Sequence, residues 1–332
     1  MNHYKTDKNE ICQEWRDNLA AFAKEHEFPK EAVDALSGAL ELIIGNDHLY
    51  DVFTQWEQNY WENPNMDYIL LQNTLESLDG EEGISKYTFD LLFMIGISRH
   101  TWELYQKQGI SREIFHDSMA DMHWKLLECH RMYDIWGTFV MHWFPWWFQL
   151  KRFALGRLQF ELIEFEDEYA KDGLILHKGD PVINVHIPSC GTLDYEKVRD
   201  AYARAAEFYK DVMGTYPLVF VCESWLLFPA HKEILPENSN IRRFLADYGV
   251  YRTEETNKDL WRIYYGAEQN DFANLPEHTG LERAYKKWLL DGHMAGQSWG
   301  YIDIYTYKMY SWRMIEFRQL FLVRLAAHVS NG

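Results

Sequence analysis

The stretch VINVHIPSCGTLDYEKVRDAYARAAEFY, residues 182–209, decides the fold. It opens with a period of two: Val182, Asn184 and His186 share one face of a strand, Ile183, Val185 and Ile187 the other. A short loop containing Gly191 follows, and then a long helix. Strand, glycine and helix start are the parts of many phosphate cradles, because a helix N-terminus offers unpaired N–H groups and a positive dipole end. They are equally the parts of an ordinary strand-to-helix connection.

Working outward, PLVFVCESWLL (217–227) is a continuous apolar run of the kind buried strands show. ENSNIRRFLADYG (237–249) supplies the cap candidates Asn238 and Ser239, a short helix and Gly249 as its stop. LWRIYYG (260–266) reads as a strand, and TGLERAYKKWLLDG (279–292) as a helix capped by Thr279 and stopped by Gly292. GYIDIYTY (300–307) has a period-two apolar face, and 307–329 is aromatic and helical in composition. Upstream, LGRLQFELIEF (155–165) sets Leu158, Phe160 and Leu162 against Gln159 and Glu161, which predicts another strand. GLILH (173–177) and the turn signal KGDP (178–181) lie between the two strands.

Residues 1 to about 150 read as wholly helical. Ile11, Trp15, Leu19 and Phe22 fall on one helical face, as do Val33, Leu36, Leu40 and Ile43 after Pro29. Further helices are predicted over 47–61, 65–78 and 85–108, and a long one after Gly109 with Ser111 as N-cap. FVMHWFPWWFQL (139–150) is the most apolar run, but it is shorter than a membrane span and contains His142 and Pro145.

The 332 residues are 47% hydrophobic and 25% charged, the balance of a globular chain long enough for two domains. A net charge of −18 and no clustered Lys/Arg argue against a nucleic-acid partner. The four cysteines (Cys12, Cys129, Cys190, Cys222) form no CxxC pair, and the polar N-terminus has no apolar signal core. A cytoplasmic protein without a membrane partner is the expectation.

The order of elements in 153–305 resembles the GNAT-like acyltransferase fold. LGRLQFE, VHIP with its Gly-x-Leu loop, CESWLLFP, ENSNI and LPEHTGLERA are similar to markers of bacterial acyltransferase domain-containing proteins. Those pair a helical N-acyltransferase N-terminal domain with a GNAT-like C-terminal domain. The resemblance implies an α+β fold: an all-helical N-terminal domain over 1–150, packed on a GNAT-like mixed α/β domain over 151–332. It also implies transfer of an acyl group from acetyl-CoA or another acyl-CoA to a small-molecule or peptide amine. A non-catalytic module that keeps the fold and has lost the coenzyme A loop is the alternative.

Carried over position by position, the resemblance implies cofactor contacts from Val185, Ile187, Ser189, Cys190, Gly191, Thr192 and Leu193. GNAT enzymes carry Gln/Arg-x-x-Gly-x-Gly/Ala in this loop, and Pro188-Ser-Cys-Gly191-Thr-Leu193 keeps only the central glycine. Pro188 has no N–H to donate, and Leu193 brings a side chain where close approach favours none. Many GNAT enzymes place a tyrosine four residues before the glycine closing the next helix; here that place is Leu245, with Tyr248 out of register.

Catalytic candidates are His186 and Glu223 as bases toward the amine and Tyr248 as acid. Substrate candidates are Asn184, Ser224, Trp225, Asn238, Ser239 and Asn240. Structural roles compete at each position: a core histidine, a strand-end carboxylate paired with Arg157 or Arg242, and helix caps. Cys190 beside His186 is a third, thiol-based option. His116, His123 and His130 recur every seven residues, about 10 Å of helical rise, too far apart to share an ion, so no metal is expected.

Overall fold

A computed structural model describes residues 7–171, 173–267 and 270–303. The backbone divides into two units. The first takes residues up to Gln159, with Ile187–Thr192 and Tyr265–Ala267; the second takes Phe160–His186, Leu193–Tyr264 and the described residues from 270 on.

The first unit is a helical assembly: α1 (Lys8–Glu25), α2 (Lys30–Gly45), α3 (Asp47–Glu62), α4 (Tyr68–Ser77), α5 (Lys86–Lys107), α6 (Arg112–Met119), α7 (Asp121–Tyr133) and the short α8 (Pro145–Phe148). Side-chain caps set the starts: Asp7 accepts from Asn9 and Glu10 N–H, Asn46 from His48 and Leu49, and Ser85 from Tyr87. The predicted face Ile11, Trp15, Leu19 and Phe22 is buried. On α5, Phe89, Leu91, Leu92, Phe93, Met94, Ile95 and Ile97 are all buried, so this helix is apolar on nearly every side and the others surround it. The helix expected to run on from Ser111 is divided at Ala120, whose carbonyl accepts a tight turn from His123 N–H. His116 and His123 therefore lie on different helices, and His130 stacks on Trp136 with ring centroids 3.6 Å apart.

His26, at the C-terminal end of α1, is 6% exposed, and its ring lies 4.3 Å from Phe22 and 4.9 Å from His116. Burial, reinforced by the neighbouring His116, His123 and Arg112, pushes its pKa down to about 4 against the pull of Glu25. The unfolded chain then binds more protons than the folded one between pH 6.5 and 4. Stability is full above that window and is lost as pH falls through it, by about 3 kcal/mol at most. Urea denaturation at pH 7 and pH 5 checks this: His26→Leu should lose about 2 kcal/mol less than the parent on acidification. An equal loss in both would assign the acid sensitivity elsewhere.

The first unit closes with β1 (Arg152–Leu155) and reclaims two later segments. Tyr265 stacks under Arg131 at 3.7 Å, and Gly266 N–H approaches Met132 Sδ at 3.0 Å.

The second unit contains β2 (Leu158–Glu164) from Phe160 on, the β3–β4 hairpin (Tyr169–Lys171, Leu174–Leu176), β5 (Pro181–His186), α9 (Tyr195–Met213), β6 (Val219–Ser224), α10 (His231–Ile234), α11 (Asn240–Ala246), β7 (Gly249–Glu255), α12 (Trp261–Tyr264), α13 (Gly280–Leu290) and β8 (Gly296–Asp303). Its main sheet runs β2-β5-β6-β8-β7. β5 and β6 are parallel, joined through α9, while β8 is antiparallel to both β6 and β7. One sheet face packs on α9 through Phe160, Tyr202 and Phe220. The other carries a cluster of Phe165, Leu174, Leu176, Val182, Val219 and Val221. This is the α+β, GNAT-like architecture expected.

Two local expectations are corrected. LWRIYYG is not a strand but holds α12, because its buried residues Leu260, Ile263 and Tyr264 are spaced three and four apart, a helical face. Gly249 does not stop α11, which ends at Ala246 with Asp247 as its C-cap; it opens β7, an exposed, charged edge strand whose sequence carries no apolar alternation. Thr279 caps α13 in a capping box with Glu282, as its sequence predicts. The helical composition of 307–329 lies outside the described residues.

Candidate active site

In the second unit the β5–β6 ladder registers Ile183 with Phe220 and Asn184 with Val221, and stops there. β5 runs on to His186, while β6 continues to Ser224 paired only with β8. The two parallel strands thus part company just where the alternation puts Asn184 and His186 on one face.

What meets them there is Glu161 of β2. His186 Nε2 lies 3.0 Å from Glu161 Oε1, with side chains 16% and 10% exposed. Asn184 Nδ2 donates to the same oxygen at 3.1 Å and sits 3.3 Å from His186 Nε2. One consistent assignment is two donors on one acceptor: Nε2–H and the amide both point at the carboxylate. That tautomer puts the basic lone pair on Nδ1. A carboxylate–histidine pair so oriented is equipped for proton transfer. Glu161 was visible in the sequence only as half of the polar alternation Gln159, Glu161; nothing in the chain order announced its partner.

Strand parity places Glu223 on the face that carries Val219 and Val221, exposed, with its Cα opposite Trp299. No hydrogen bond joins it to the Glu161–His186 pair among the described residues. The arginines proposed as its structural partners bind elsewhere: Arg242 Nη1 donates to the carbonyls of Lys232 and Leu235, and Arg157 to a loop in the first unit. Ser224 caps the single turn Trp225–Leu227 by accepting from Leu226 N–H. Trp225 packs edge-on to His231 and Tyr285. Of the ENSNI run, Ser239 is the N-cap of α11, Asn240 is its first residue, and Asn238 is exposed. Tyr248 is buried, its hydroxyl 2.8 Å from that of Tyr202, and burial raises its pKa well above the usual phenol value. Its hydroxyl is thus committed to the core, and the structure does not bring it to Glu161 and His186. Val185 is buried on the opposite face of β5 from His186.

The loop Ile187–Thr192 belongs to the first unit. Gly191 has φ +86°, a left-handed conformation that glycine alone takes without strain, while a Cβ there would meet nothing within 4 Å. The retained glycine is needed for its backbone, not for space. Arg157 Nε, Nη1 and Nη2 donate to the carbonyls of Thr192, Pro188 and Gly191 at 3.2, 3.0 and 3.0 Å. Ser189 Oγ donates a short hydrogen bond to Glu128, whose other oxygen accepts from Lys125 at 2.7 Å. Cys190 is half-buried, and burial raises its thiol pKa despite Arg157 nearby. It also stands five residues before α9, whose first turn is already capped by Asp194 accepting from Lys197 N–H. Both facts weigh against an activated thiolate.

Residues 17–150 match the model of the N-acyltransferase N-terminal domain, and residues 152–302 that of the GNAT-like C-terminal domain. The chain therefore carries an N-acyltransferase N-terminal domain followed by a GNAT-like C-terminal domain. No curated protein matches the sequence. Among solved structures it is similar to an acyltransferase crystallised with decanoyl-CoA and teicoplanin, at 17% identity and a TM-score of 0.64, over 86% of this chain and 87% of that one. It is also similar to an acyltransferase crystallised with decanoyl-CoA, at 19% identity and a TM-score of 0.62, over 90% and 99%. At such identities the likeness is one of fold. Among the described residues no helix is long and apolar enough to cross a membrane.

Proposed function

We propose that this protein transfers an acyl group from an acyl-CoA thioester to the amine of a small molecule. The single observation that carries the reading is the Glu161–His186 pair at the point where β5 leaves β6. An amine attacks a thioester only as the free base, so a positioned proton acceptor is the first requirement. In this reading His186 takes the amine proton as the C–N bond forms, and Glu161 stabilises the imidazolium. The same imidazolium returns the proton to the departing thiolate when the C–S bond breaks. The backbone of β5 beyond Asn184, released from β6, faces the thioester oxygen, and the loop 189–193 meets the pyrophosphate. Asn184 orients Glu161 and His186 together. Glu223, exposed on the same face, is the second acid–base candidate.

Acyl-CoA is supported as donor by the complexes of the similar acyltransferases, and an amine-bearing small molecule by the family's name and by teicoplanin in one of them. The non-catalytic alternative rests on Pro188 and Leu193, which remove one backbone donor and add one side chain. Calorimetric titration with coenzyme A, acetyl-CoA and decanoyl-CoA, followed by a thiol-release assay over a panel of amines, separates the two. Micromolar binding with amine-dependent thiol release is expected. No binding of any of the three ligands rejects the acyl-CoA reading and selects the non-catalytic module, while binding without turnover on any amine keeps the ligand and rejects the transfer.

A further inference from the structure

The loop 188–192 lacks the glycines that let other GNAT loops wrap a pyrophosphate, yet it is held in one shape by a side chain from outside it. Three consecutive nitrogens of the Arg157 fork bind three of its carbonyls, those of Pro188, Gly191 and Thr192. In a trans peptide the C=O and the following N–H point in opposite directions, and the chain has no cis bond among the described residues. Gathering those three oxygens on the guanidinium therefore turns the N–H groups of Ser189, Thr192 and Leu193 away from it. Among the described residues these three N–H groups have no acceptor, and Ser189 and Thr192 are exposed.

Arg157 is only 9% exposed and has no carboxylate within ion-pair distance among the described residues. A buried cation solvated by neutral groups without a paired carboxylate is an unusual expense. Its charge lies directly behind the outward-facing donors, where an anion on the far side of the loop offsets it.

We infer that Arg157 is the positioning residue of an anion cradle, forming by carbonyl capture the array of backbone donors that glycines form in related loops. This rests on the acyl-CoA reading above and narrows it: the ligand part that Arg157 serves is the pyrophosphate, not the thioester or the acyl chain. Ser189, tied to Glu128, fixes the leading edge of the same loop.

The test compares coenzyme A with pantetheine, which has the thiol arm but no pyrophosphate. Binding of each is measured by calorimetry, and turnover with acyl-CoA and acyl-pantetheine by thiol release. Arg157→Lys keeps the charge and loses the planar fork. It should weaken coenzyme A about tenfold and raise the KM for acyl-CoA correspondingly, with kcat and the acyl-pantetheine reaction unchanged. Ser189→Ala, at an exposed position that leaves Arg157 in place, should weaken coenzyme A about threefold by the same measure. A parent protein that binds no coenzyme A overturns the acyl-CoA reading itself. A parent that binds while Arg157→Lys binds equally well, or loses coenzyme A and pantetheine to the same degree, overturns only the role of Arg157. Should Arg157→Lys fail to fold, unchanged coenzyme A binding by Ser189→Ala decides against the cradle.

Discussion

Alanine in place of His186 is expected to lower amine-dependent thiol release by about 10³-fold, the range for a lost general base, while coenzyme A binding stays within about twofold. The reason lies in the division of labour proposed for β5: its last side chain moves the proton, and the loop after it holds the nucleotide. His186 is mostly covered, with its Nε2 committed to Glu161. Raising the pH should recover part of the loss, because more of the amine then arrives already deprotonated. Activity within threefold of the parent would remove His186 from the mechanism and leave Glu223 as the base to test next.

Glu161→Gln is the second large effect expected, a fall of about 10²-fold in kcat with little change in the KM for acyl-CoA. The change keeps the side-chain volume and a hydrogen-bonding oxygen, but it removes the charge that favours imidazolium and the unambiguous acceptor that sets the tautomer. Because the two residues act as a unit, the double variant His186→Ala/Glu161→Gln should be no slower than His186→Ala alone. Multiplied losses in the double variant, assayed by thiol release at one pH, would show that the two act independently and that the 3.0 Å contact is only structural.

Much of this fold was legible in the chain. The helical first region, the caps at Ser111, Ser239 and Thr279, and the strands around Phe160, Val182 and Val219 follow from local periodicity and capping chemistry. The run 260–266 misled because a short buried helix and a short buried strand are equally apolar, and only spacing separates them. β7 was illegible for the opposite reason: an edge strand with exposed faces keeps no apolar alternation. His186 and Asn184 were marked as two polar residues on one strand face that need partners, and that demand was sound. The partner itself was not deducible, since Glu161 lies 23 positions earlier than Asn184 and reaches it through sheet order, which periodicity does not encode. Arg157 was equally hidden: the sequence marked it only as a charged residue in a marker and a candidate partner of Glu223, while its contacts are to carbonyls more than 30 positions away.

The first unit is discontinuous along the chain, and this has a consequence for how the protein is made. Its helices come off the ribosome first, but the segment Ile187–Thr192 that Arg157 and Glu128 hold, and the Tyr265 ring that covers Arg131, are synthesised long afterwards. Until residue 192 emerges, Arg157 lacks the full set of its three carbonyl partners. Gene fragments cut near residue 150 lack β1 and Arg157 as well as Ile187–Thr192 and Tyr265, so the helical unit is best expressed within the whole chain.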